Sequence, residues 1–263
     1  MRRILFAPAL LLALCAAAHA RQQPAAGGAR PFDSFGDIVY ETDWLARLDA
    51  VAVEMLGRPD TKAFIVAYGV PNRLPGRPLR RANWARGVLT TGRGLDPSRV
   101  EVVYGGYRDE VWYEHWLMTG GERPPVKPFD FAVALTREKT AYMFDRFPLF
   151  DPAYDIGYDG SYSEYLDDRG RFEPLALALR HDPAARGLII VYRSRKNPPG
   201  DDRRLAARLK LAALKAHALA PDRVVAVGGG RRDYRAAEIW LVPPGAALPS
   251  PTPATRPARR KRR

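Results

Sequence analysis

The second half of this chain repeats the first at a fixed offset of 124 residues. Ile65-Val66-Ala67-Tyr68 returns as Ile189-Ile190-Val191-Tyr192. Leu95-Asp96-Pro97-Ser98-Arg99-Val100 returns as Leu219-Ala220-Pro221-Asp222-Arg223-Val224. Gly105-Gly106-Tyr107-Arg108-Asp109 returns as Gly229-Gly230-Arg231-Arg232-Asp233, and Glu114-His115-Trp116-Leu117 as Glu238-Ile239-Trp240-Leu241. Residues 47–118 and 171–242 pair without a gap and share 21 identities over 72 positions. A chain built this way folds as two copies of one module, and every residue can be compared with its twin.

Hydrophobic periodicity gives the module its elements. Asp37 to Tyr40 reads as a short strand. Trp44, Leu45, Leu48, Val51, Met55 and Leu56 recur at helical spacing until Gly57-Arg58-Pro59. Ala63 to Tyr68 is a strand, Leu79 to Thr91 a helix, Arg99 to Tyr104 a strand, and Val111 to Met118 another after a Gly105-Gly106 turn. The second copy reads alike: helix Arg171 to Arg180, strand Gly187 to Tyr192, helix Asp201 to Leu219, strands Val224 to Val227 and Ala236 to Val242. Its first strand is expected within Asp155 to Tyr165. The pattern is βαβαββ twice, an α/β (α+β) two-layer sandwich with helices on one face of each sheet.

The ends read differently. Arg2, Arg3 and the apolar run Ile4 to Ala18, closed by Ala18-His19-Ala20, form a secretory signal peptide over residues 1–20. Residues 21–34 are a linker, 35–122 the first module, 123–150 a second linker with an extra strand expected at Phe129 to Leu135, 151–246 the second module, and 247–263 a Pro-rich basic tail. The sole cysteine, Cys15, lies in the leader, so no disulfide is expected after cleavage. No later apolar run reaches spanning length, so no transmembrane segment is expected in the mature chain. The formal charge is +13, and Arg256, Arg259, Arg260, Lys261, Arg262 and Arg263 are crowded into the last eight residues. A secreted chain meets anionic lipid or lipopolysaccharide, which this tail would attract; no nucleic-acid partner is expected.

Enzyme signatures are sparse. His115, His181 and His217 lack metal-ligand or triad spacing, and Gly228-Gly229-Gly230 precedes a hairpin rather than a helix. Asp155, Asp159 and Gly160 lack the spacing and terminal Glu of a calcium loop. No metal, cofactor or catalytic residue is expected. A hydrolase using Glu114 with Asp109 rests only on the presence of acids. Pro59/Pro183, Pro97/Pro221 and the paired glycines read as turn chemistry, and Arg108-Asp109 with Arg232-Asp233 as local hairpin ion pairs or turn-capping aspartates. The retained Glu114-x-Trp116 and Glu238-x-Trp240 are different. Strand parity puts them, with Tyr68 and Tyr192, on the sheet face away from the helices. A Trp there packs against the other repeat, a ligand or a partner protein.

Arg80-Arg81-Ala82 in the second helix, Gly94-Leu95-Asp96-Pro97-Ser98-Arg99-Val100 and Gly105-Gly106-Tyr107 together resemble the C-terminal OmpA-like domain of bacterial envelope proteins. The resemblance covers about 80 residues per repeat. It implies non-covalent association with peptidoglycan, in which an Asp after the second strand and an Arg before the helix's Ala clamp diaminopimelate. Arg81 falls on the Arg position, with Arg80, and Arg204 in the other copy, as basic neighbours. The Asp position falls in Gly69-Val70-Pro71-Asn72, which has no acid, and the twin of Arg81 is Leu205. The expected function is therefore a non-catalytic periplasmic binding or scaffold protein. The ligand candidates are Arg81, Arg80, Arg204, Tyr68, Tyr192, Glu114, Trp116, Glu238 and Trp240; a protein-interaction module is the alternative.

Overall fold

A computed structural model describes residues 30–37, 40–70, 73–127, 129, 139–149 and 166–253. Residues 1–20, read above as a leader, the acidic stretch 151–160 and the basic run 256–263 lie outside these residues. The first module runs β1 (Asp33–Gly36), α1 (Glu41–Leu56), β2 (Lys62–Gly69), α2 (Arg77–Gly87), β3 (Val100–Tyr107) and β4 (Trp112–Met118). The second runs β5 (Tyr142–Pro148), α3 (Asp168–His181), β6 (Arg186–Arg193), α4 (Asp201–His217), β7 (Val224–Arg231) and β8 (Ala236–Val242). Each makes one four-stranded mixed sheet, ordered β1-β4-β2-β3 and β5-β8-β6-β7, with one parallel pair at the crossover. Among the described residues no helix is long and apolar enough to cross a membrane.

The twins explain themselves in the packing. Arg99 donates to the carbonyls of Thr61, Met55 and Arg58 at 2.7–3.0 Å. Arg223 donates to Ala185, Leu179 and Asp182, each 124 residues on, at 2.7–3.1 Å. One retained arginine thus satisfies carbonyls that the end of the preceding helix leaves open. Pro97 and Pro221 open the short 3-10 turns that carry it.

The first strand is Asp33–Gly36, ahead of Asp37 to Tyr40. Phe35 is its one buried side chain, packed on Trp44 and Tyr113, whereas the apolar-looking Tyr40 is exposed. The first strand of the second sheet is β5, within the stretch read as a linker; Asp155 to Tyr165 lies outside the described residues, as does nearly all of Phe129 to Leu135. The sheet registers reveal why. His115 faces Asp33 while its twin Ile239 faces Asp145, and Tyr113 faces Phe35 while its twin Ala237 faces Phe147. Asp33-Ser34-Phe35 therefore returns as Asp145-Arg146-Phe147, at an offset of 112 instead of 124. The second copy carries more residues between its first strand and first helix, which a gap-free pairing misses.

Gly105 and Gly229 are likewise not turn residues. They sit inside β3 and β7 as bulge residues, where the pairing with β2 and β6 shifts register. A side chain on Gly105 would begin 2.3 Å from the Tyr68 ring, and one on Gly229 2.5 Å from the Tyr192 ring. The next residues, Gly106 and Gly230, take positive φ at 92° and 84°. Gly229→Ala should therefore lower stability by about 1–3 kcal/mol by overpacking, read as a lower urea midpoint at unchanged slope. An unchanged midpoint would refute this account of the retained glycines.

The repetition also continues past Met118. Glu122 N–H bonds to the Thr119 carbonyl, and Ala246 N–H to Pro243, both at 3.1 Å. Gly121 and Gly245 follow suit with φ of 80° and 78°. Phe129 and Pro253 then lie over Gly106 and Gly230. Each module is closed by a proline-bearing strap that returns across its open sheet face.

The modules join through α2 and α3. Leu79 and Tyr104 of the first belong to the core that contains Phe144, Phe172, Ile189 and Leu209 of the second. Asn83 Nδ2 donates to the Gly170 carbonyl at 3.0 Å, and Gly76 N–H to Phe144 at 2.9 Å. At the centre, Arg80 holds Asp145 through Nε at 2.6 Å and Nη2 at 3.1 Å.

Candidate functional site

Each sheet carries the same buried constellation on the face away from its helices. Register places Val66 opposite Glu114 and Phe64 opposite Trp116, so Tyr68, Glu114 and Trp116 share a face. Glu114 Oε2 accepts from the Tyr68 hydroxyl at 3.1 Å and from Trp116 Nε1 at 3.0 Å. Its Oε1 accepts from Arg108 Nη2 at 2.7 Å, and the Arg108 guanidinium lies on the Tyr68 ring, 3.6 Å from its centroid. In the second module the distances are 3.1 Å from Tyr192, 3.3 Å from Trp240 and 2.7 Å from Arg232, whose guanidinium lies 3.4 Å from the Tyr192 centroid.

The physical logic is one of compensation. A carboxylate taken out of water needs a counter-charge and donors, and here it has a cation and two ring donors. Burial raises the Tyr68 phenol pKa, and the adjacent Glu114 carboxylate raises it further. Both oxygens of Glu114 are occupied, and Asp109 lies exposed in the turn instead of beside it. The local Arg108-Asp109 pair expected from sequence is replaced by Arg108 reaching Glu114, because the hairpin twist lays the arginine back over Tyr68.

The strap supplies the cover for both faces. Val126 packs against the cluster of Phe64, Val66, Tyr68 and Trp116, and Arg123 lies over Phe64. Ala246 packs against Leu188, Ile190 and Tyr192, and Thr252 bonds directly to the second constellation. The tryptophans are thus packed by their own module's strap.

The arginines diverge. Arg81 is buried, lies over Trp44 at 4.6 Å and pairs with Asp37, to which Arg77 also binds at 3.1 Å. The carboxylate beside Arg81 comes from the end of β1, not from the loop after β2. Arg80 is the intermodule bridge described above, while its twin Arg204 is largely exposed beside Asp201. The candidates therefore fall into five places: Tyr68, Glu114 and Trp116; Tyr192, Glu238 and Trp240; the Arg81 edge; Arg80 at the intermodule bridge; and Arg204 beside Asp201. Sequence reading missed Asp37, Asp145 and the roles of Arg108 and Arg232. The last two had a signal, since an arginine six residues before a retained glutamate returns in both copies.

His115, on the helix-facing side, is buried against Phe35 with neither ring nitrogen hydrogen-bonded. Burial drives its pKa down to about 4. Among the described residues no cluster of His, Cys, Asp or Glu is arranged to hold a metal ion. No protein-family model matches the chain, and no curated protein matches it.

Proposed function

We propose that this chain is a non-catalytic binding or scaffold protein of the bacterial cell envelope, exported by its leader and built from two OmpA-like modules. Peptidoglycan is the proposed partner, engaged at the Arg81 edge of the first module. The observation that carries this reading is the adjacency of the Arg81 guanidinium and the Asp37 carboxylate. A zwitterionic diaminopimelate centre is complementary to such a pair, ammonium to carboxylate and carboxylate to guanidinium. The order of elements in each module agrees with the resemblance as well. The basic end of the chain would add attraction to anionic surfaces, weakened by salt.

Co-sedimentation with purified sacculi tests the proposal. The mature chain should pellet with sacculi at low salt, and Arg81→Lys, which keeps the charge but loses the planar fork, should pellet several-fold less. Absence of the wild-type chain from the pellet ends the peptidoglycan reading; equal pelleting by the variant removes Arg81 from it. A protein-interaction role is the second reading. Val53 and Leu56, three residues apart on α1 and both exposed, favour it.

A further inference from the structure

The twin constellations differ at one edge, and the difference defines a site. In the second module Arg232 gives Nη1 to Glu238 and turns its remaining donors on the strap. Its Nε donates to the Thr252 carbonyl at 3.1 Å and its Nη2 to the Thr252 hydroxyl at 2.6 Å. The Thr252 N–H in turn donates to the Tyr192 hydroxyl at 3.1 Å. With this partner seated, the Arg232 side chain is 18% exposed.

Arg108 has the same stack on a tyrosine and the same hold on a glutamate, yet its side chain is 40% exposed. Among the described residues its guanidinium meets only Glu114, through Nη2, and Tyr68. The residue 124 positions before Thr252 is Pro128, which has no hydroxyl to offer. A guanidinium fixed on both its ring face and one edge has already given up much of its rotational freedom, so a ligand that meets its open edge orders little further.

We infer that the open edge of Arg108, on Tyr68, is a peptide-binding site. Its ligand is an extended segment that presents a backbone carbonyl next to a Ser or Thr hydroxyl, the chemistry that Thr252 brings to Arg232. The flanking prolines of Pro249-Ser250-Pro251-Thr252-Pro253 show the backbone type that suits it: extended, with few donors of its own and little entropy to lose. The inference stands apart from peptidoglycan binding, because it uses the opposite face of the sheet from Arg81.

Calorimetric titration of the mature chain with a peptide of residues 247–253 tests it. Wild type should bind one peptide. Arg108→Gln and Arg108→Lys should each weaken binding about tenfold or more, the loss of a charged hydrogen bond, at a melting temperature matching wild type for the lysine variant. Thr252→Pro should open the second site and raise the stoichiometry from one to two. The inference is overturned by an absence of binding up to about 1 mM peptide, or by unweakened binding to Arg108→Lys. It is equally overturned by loss of binding in Arg232→Gln alone, which would mean that the peptide merely displaces the strap, or by Thr252→Pro leaving one site.

Discussion

Asp145→Ala should cost about 3–5 kcal/mol of stability. The expectation follows from where the pair sits. Arg80 and Asp145 side chains are 4% and 3% exposed, so neither charge has water to fall back on. Two of the guanidinium's donors meet the two carboxylate oxygens, and the Arg146 carbonyl lies 3.4 Å from Nη2. Phe147 lies beneath, 4.8 Å from its centroid to the guanidinium. Removing the acid takes from a buried cation the two charged bonds that Asp145 supplies. Because the pair joins α2 of one module to β5 of the other, the loss falls on the junction. Urea unfolding followed by tryptophan fluorescence should show a lower midpoint, and Arg80→Met combined with Asp145→Leu should regain most of the difference, since an apolar pair of similar volume has no charge to bury. A loss below about 1 kcal/mol would mean that the junction relaxes to admit water and that the bridge is not what holds the modules together.

The contrast between Arg80 and Arg204 shows what sequence can and cannot disclose. Both are arginines at one register of the second helix, and local periodicity treats them alike. Their fates differ because Arg80 meets an acid 65 residues away, on a strand whose twin relation is broken by extra residues in the second copy. Elements set by local pattern were legible: α4, β6 and β8 match their expected spans closely, since helical and alternating periods are read within one element. The face shared by Tyr68, Glu114 and Trp116 was legible for the same reason. The strap was not, because Thr119 to Phe129 and Pro243 to Pro253 share almost no side chains; what recurs is a turn, a positive φ and a place to lie. Gly105 and Gly229 carried a correct signal with the wrong cause. Glycine pairs usually mark turns, and only the tyrosine on the preceding strand reveals that they make room for a ring. Asp37 escaped notice because the acid was sought after β2, where the resemblance puts it, and the fold delivers it from β1.

Acid should unfold the first module through His115, and a single substitution should remove the effect. The imidazole is packed against Phe35 with both nitrogens unpaired. The groups that face it are Asp33 on β1, 3.9 Å from Nδ1, and Arg47 on α1, which pairs with that same aspartate. Burial holds the folded-state pKa at about 4, overriding the upward pull of Asp33, while the unfolded histidine titrates at 6.5. Between those values the unfolded chain binds the proton and the folded chain does not, so stability rises with pH across this window and is lost as pH falls through it. At about 1.4 kcal/mol per pH unit the loss between pH 7 and pH 4 is roughly 3 kcal/mol. The second module supplies its own control, for the twin of His115 is Ile239, on the same β-strand position and equally buried. His115→Ile should therefore match or exceed wild-type stability at pH 7, because two unpaired nitrogens leave the core, and the gap should widen as pH drops toward 4. Urea midpoints measured at pH 7.5, 6, 5 and 4 on both chains decide it. Parallel curves would show that His115 gains a proton in the folded state without cost.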